Sequence, residues 1–183
     1  MEHQHKYQST GLIPSTEDAQ HLLRMPNKVV ARPFAWLVQA SGHTPKIHLF
    51  ESAIQVGNEV LEGVTVRASY RGPKIIQKGM AKITTPEKFE CALFFGIHRV
   101  AAIDTNPGQR HHNSTGTGLP FYNQTISTDS HRHIWTGAYG YAEPIDPPLL
   151  DVLQLIHTFA AECNLIFQGN LVHPLRGEQG ELL

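Results

Sequence analysis

Between residues 61 and 70 the chain alternates strictly, with Val64, Val66 and Ala68 standing against Thr65, Arg67 and Ser69. A period of two sends one set to each side of an extended strand, one side buried and the other wet. Closely spaced turns bound this segment. Ser41-Gly42-His43-Thr44-Pro45 and Gly57-Asn58 flank an apolar run from Ile47 to Val56, in which Ile47, Leu49 and Ala53 share a side. Pro33-Phe34-Ala35-Trp36-Leu37-Val38 reads as the strand before it. Connections this short cannot hold the crossover a parallel pair needs, so three consecutive strands over 31–70 should form an antiparallel meander.

Arg71-Gly72-Pro73 ends the third strand. Phe89 to Phe95 and His98 to Ile103 lie either side of Gly96, as a hairpin or as one strand with a bulge. His131 to Trp135 returns to strand. At the front, Ser15 and Thr16 before Glu17-Asp18 predict a helix over Thr16–Met25, ended by Pro26. Pro147-Pro148 opens a second helix over 147–164, whose Leu149, Val152, Leu153, Ile156, Phe159 and Ala160 form an apolar stripe. The expected class is α+β: an antiparallel sheet of about five or six strands with a short N-terminal helix and a longer C-terminal one. Residues 1–14 read as a mobile lead-in and 15–183 as a single domain, its tail from Gly169 docked loosely; 183 residues suit one core.

Net charge is −1 and the pI about 6.9, so no overall positive field is present to hold a nucleic acid. Binding to RNA or a nucleotide would rest on a local patch. Arg67, Arg71, Lys74 and Lys78 with Tyr70 form a small basic segment. It reads first as a solvated strand end and second as a phosphate contact. Near-neutral charge is compatible with a homodimer. Cys91 and Cys163 sit in apolar segments and read as reduced, buried thiols. The polar start Met1-Glu2-His3-Gln4-His5-Lys6, and the lack of ~18 consecutive apolar residues, point to a cytoplasmic protein with no membrane partner.

Twelve histidines are present, against about four at usual composition. They concentrate around a loop from Asp104 to Ser130 that has Gly and Pro but little periodicity, and loops of that length are usually functional or disordered. One side carries Arg110-His111-His112-Asn113, the other Asp129-Ser130-His131-Arg132-His133. On a strand His131 and His133 project from one face and Arg132 from the other. Two such imidazoles are a frequent start for a site that holds a divalent metal, with Asp104, His111 or His112 as a further ligand. Without metal they can serve as general base and acid near neutral pH. His111, His112, His131 and His133 are therefore the candidate catalytic residues. Asn113, Arg110, Arg132 and Trp135 are the candidate substrate contacts, and His131, His133 and Asp104 the candidate metal ligands. The competing reading is a polar strand face whose histidines only bond the loop.

The order His-His, Asn, His resembles the ββα-metal nucleases, which would make His111 or His112 the base, Asn123 the orienting residue and His131 a ligand. The segment Ile134-Trp135-Thr136-Gly137 lacks the helix that motif requires. His112-Asn113-Ser114 resembles one of the two motifs of a two-histidine phosphodiesterase. A broader resemblance covers about residues 98–166. His112-Asn113-x-x-Gly116, His131-x-His133-Ile134-Trp135, Tyr139-Gly140-Tyr141-Ala142 and a helix ending Phe159…Cys163-Asn164-Leu165 are similar to a group of uncharacterised bacterial proteins. That group has His-x-Asn-Pro-Asp-Gly where this chain has Ser114-Thr115 in place of Pro-Asp. The resemblance implies that the cluster is one unit and names no reaction. The leading expectation is a small histidine-dependent hydrolase, acting on a phosphodiester, such as a ribonuclease of a bacterial defence or toxin system. The alternative is a non-enzymatic binding or regulatory module that recognises a protein or ligand with the 104–130 loop.

Overall fold

Ser15 caps the first helix as its sequence demands. In the computed structural model, helix α1 (Thr16–Arg24) opens with the Asp18 amide donating to the Ser15 hydroxyl at 3.0 Å, while the Asp18 carboxylate accepts from the Ser15 amide. The structure describes residues 13–40, 42 and 44–176. Most of the expected lead-in, His43 and the end of the tail lie outside the described residues.

The strands follow as β1 (Lys28–Pro33), β2 (Leu37–Val38), β3 (Ile47–Val56), β4 (Glu59–Arg71), β5 (Lys74–Lys78), β6 (Ala81–Thr85), β7 (Lys88–Phe95), β8 (His98–Thr105), β9 (His111–His112), β10 (Thr125–Ile126), β11 (Ser130–Ile134) and β12 (Tyr141–Ile145). Helix α2 (Val152–Glu162) and β13 (Leu165–Gln168) follow. Nine strands form one sheet in the order β12-β11-β8-β7-β4-β3-β1-β13, with β2 on the flank of β3.

The class is mixed, with two helices against a large sheet. The meander through β3, β4, β7 and β8 is antiparallel as expected. Five or six strands is too few. β12 and β13 are five and four residues long, too short to show a period. The sheet is also not wholly antiparallel, because β13 joins β1 in parallel after the α2 crossover. Pro33 ends β1 instead of opening a strand, and only Leu37–Val38 of the stretch after it is extended. Ile47 and Leu49 do share a side, but the buried side of β3 is His48, Phe50, Ser52 and Ile54.

α2 starts after Pro147-Pro148, not at them. Asp151 caps it, its carboxylate accepting from the Leu153 and Gln154 amides. Val152, Leu155, Ile156 and Phe159 of α2, with Ala19 and Leu22 of α1, bury one face of the sheet over Phe50, Val66, Ala68, Cys91, Leu93 and Ile103. The tail is tied down at Val172, whose carbonyl accepts from the Trp36 indole. The opposite, outer face carries the polar groups. β5 and β6 leave the sheet altogether and pair only with each other.

Candidate active site

Residues paired directly across an antiparallel ladder share a face. Ser69, Glu90, Asp104 and His131 are such a series, running across β4, β7, β8 and β11 on the outer face. The next row on that face is Arg67, Ala92, Ala102, His133 and Ala142. Alanines on both sides of His133 leave its ring room to lean toward Asp104.

Asp104 is the hub. His133 Nε2 stands 3.0 Å from its Oδ2 and His131 Nδ1 3.5 Å from its Oδ1, both at ion-pair distance. The Arg99 guanidinium lies 3.8 Å from Oδ2 and is bonded to Glu90 at 2.6 Å. Burial works to raise the Asp104 carboxyl, but the two imidazoles and the Arg99 charge outweigh it and hold the group well below the usual carboxylate range. Both histidines are buried, at 2% and 6% exposure.

His111, on β9, completes the group, its ring centroid 6.1 Å from that of His131 and 5.2 Å from that of His133. Its Nε2 donates to the Gly140 carbonyl at 2.9 Å, because a carbonyl can only accept. Tyr139 stacks on His133 with centroids 5.8 Å apart, and Arg99 lies over the Tyr139 ring. Among the described residues, His131 Nε2 and His133 Nδ1 are buried with no hydrogen-bond partner, as is the Thr115 hydroxyl. A native interior seldom leaves imidazole nitrogens unbonded unless they have work or an unseen partner.

Comparison with protein-family models, curated protein sequences and solved structures gave no significant match. The functional reading therefore rests on the residues.

Of the residues singled out from sequence, His111, His131, His133 and Asp104 come together. The others do not. His112, next on its strand, is exposed and bonds the Thr125 hydroxyl. Arg132 faces α2, where its guanidinium takes both carboxylate oxygens of Glu162, so it is no substrate contact on the histidine face. Trp135 is core, its indole donating to the Pro14 carbonyl. Asn113 is fully buried and used up by backbone: its amide donates to the Phe121 and Ala142 carbonyls and its oxygen accepts from the Ala142 amide. Arg110 is exposed. Asn123 holds a left-handed turn, φ 57°, as part of the loop scaffold. Asp104, His131 and His133 turn toward one another, and among the described residues no three His, Cys, Asp or Glu side chains converge as a metal ion requires. The expected metal set is thus a set of neighbours with no common focus.

Arg99, Tyr139 and the Gly140 carbonyl were not legible. By parity Arg99 belongs with Ala101 and Ile103 on the core face. The ladder slips between Leu93 and Phe94, where Phe94 meets Arg99 and Val100 is passed over, and this bulge turns Arg99 to the outer face.

The same face opens into a cleft of about 300 Å³ whose walls include Ser69, Arg71, Lys88, Glu90, Asp104 and Asn106. Asp104 is the one member of the cluster in its wall. Lys88 donates to the Asn106 amide oxygen at 2.7 Å, keeping its charge unneutralised.

Proposed function

We propose that this chain is a histidine-dependent hydrolase acting on a phosphodiester. The observation that carries the reading is the Asp104 carboxylate set against two buried imidazoles whose far nitrogens, His131 Nε2 and His133 Nδ1, have no partner among the described residues. A carboxylate behind a histidine fixes ring orientation and favours imidazolium formation, which prepares the far nitrogen to take a proton. In this reading one imidazole accepts the proton of the attacking water as its oxygen bonds to phosphorus. The other, protonated, gives a proton to the leaving oxygen as the old P–O bond breaks. Asp104 stays ionised throughout, as its low proton affinity favours. Arg71 and Lys88 line the cleft on the Asp104 side and give that approach to the site a positive charge that draws in an anionic substrate. His111, pinned to Gly140, orients the rings beside it.

The loop-recognition alternative has less support, because the loop is held in place by Asn113 and by the β9–β10 bridge.

The test is hydrolysis of bis-p-nitrophenyl phosphate and of an RNA oligonucleotide by the wild type, H131A and H133A, with thermal melts alongside. Each histidine variant should lose about 10²–10⁴ in rate while remaining folded. Folded variants with full activity would overturn the assignment.

A further inference from the structure

The β5–β6 ribbon projects from the sheet with every strand residue exposed except Thr85, which is half-buried. From Arg71 to Pro86 the chain carries Arg71, Lys74, Lys78 and Lys82 and no acidic side chain. Among the described residues none of these four has a carboxylate partner. The register pairs Lys74 with Thr85 and Lys78 with Ala81, placing both lysines on one face of the ribbon, and Lys82 opposite Gln77 on the other. At the foot of the ribbon a second cleft, about 260 Å³, is lined by Arg71, Lys74, Thr85 and Lys88. It shares Arg71 and Lys88 with the cleft that reaches Asp104. A line of unneutralised cations thus runs from the ribbon tip to the wall of the histidine site.

We infer that this ribbon and the cations at its foot grip the backbone of a nucleic-acid duplex. The inference rests on the phosphodiesterase reading only for the role of the bound strand, since the grip itself is independent of any cleavage. Charge complementarity carries it: on a chain of net charge −1, an acid-free cationic arm is a local exception that suits a polyanion. Shape agrees. Five residues per strand extend roughly 17 Å, and a two-stranded ribbon fits the ~12 Å major groove of B-form DNA. The apolar side chains agree as well. Met80, in the turn at the ribbon tip, is 102% exposed, and an aliphatic side chain at such a tip can wedge between base pairs. The ribbon has no aromatic residue, which disfavours a single-strand mode built on base stacking.

The experiment is fluorescence anisotropy with a 24-base-pair DNA duplex, the same sequence as duplex RNA, and single-stranded DNA, using wild type and H131A so that binding is read apart from turnover. Vesicles containing phosphatidylserine are the fourth probe. With five phosphate contacts, log Kd against log salt should have a slope near 4.5, so duplex affinity falls about 500-fold between 50 and 200 mM salt. The variant K74Q/K78Q/K82Q, altered only at exposed positions, should keep its melting temperature and fall to a slope near 1.8, about 12-fold over that range. A slope that the triple variant leaves unchanged, no duplex binding at 50 mM salt, or binding to vesicles alone would each overturn the inference. Duplex binding by a wild type that cleaves no phosphodiester would uphold the grip and sink the hydrolase instead.

Discussion

Asp104 shows how much one side chain can organise. It faces two imidazoles and a guanidinium, and these partners hold it ionised against its own burial. A carboxyl whose folded pKa is depressed adds stability that is fully present above its unfolded value near 4 and is lost as the pH falls toward the folded value. D104N should therefore be less stable than wild type at pH 7, by about 1.5–3 kcal/mol for hydrogen bonds to a charged group. The gap should close as the pH drops below about 4. Urea denaturation across pH 2–7 checks this, and a gap that stays constant would show that the ionised form is not the stabilised one. At this scale much was legible. Period two placed His131 and His133 together and Arg132 apart, and the same rule was misled at Arg99, where one extra residue in β8 reverses the parity. Asn113 was misread for a different reason: burial decides whether an amide meets substrate or backbone, and nothing local in sequence reports that burial.

Elements with two faces of contrasting polarity were readable, and short or detached ones were not. α1 and the β4 alternation match their sequence patterns closely. β5 and β6 were missed because a ribbon exposed on both faces needs no alternation of apolar and polar residues. β9 and β10, two residues each, hide within what reads as an unstructured loop. Arg132 ties two elements together, bonding β11 to α2 through Glu162, with about a third of each side chain exposed. Screening by solvent limits such a pair to about 1 kcal/mol or less. R132A should accordingly melt slightly below wild type and hydrolyse substrate at the wild-type rate. A loss of rate as deep as that of H131A, without unfolding, would mean that Arg132 works from the helix side of the sheet.

At the scale of the whole molecule, one buried layer between the helices and the sheet holds both thiols. Cys91 and Cys163 are free and buried, and burial, with the neighbouring Glu162 charge, pushes Cys163 up to about 12. Almost no thiolate exists at neutral pH, so a thiol reagent should find none in the native protein and two after denaturation. Labelling in dilute denaturant should then follow global opening, and fast labelling of either cysteine in native buffer would contradict the packing. Among the described residues no helix is long and apolar enough to cross a membrane.

The parallel pairing of β1 with β13 has a consequence for how the chain is made. The strand that flanks β1, and the helix that covers the sheet's apolar face, are encoded after residue 150. Translation proceeds at about 5–20 residues per second, so the growing sheet waits several seconds with only α1 to shield it. Birth order and burial order run opposite to each other here, and the nascent chain is at its most adhesive just before α2 and β13 emerge.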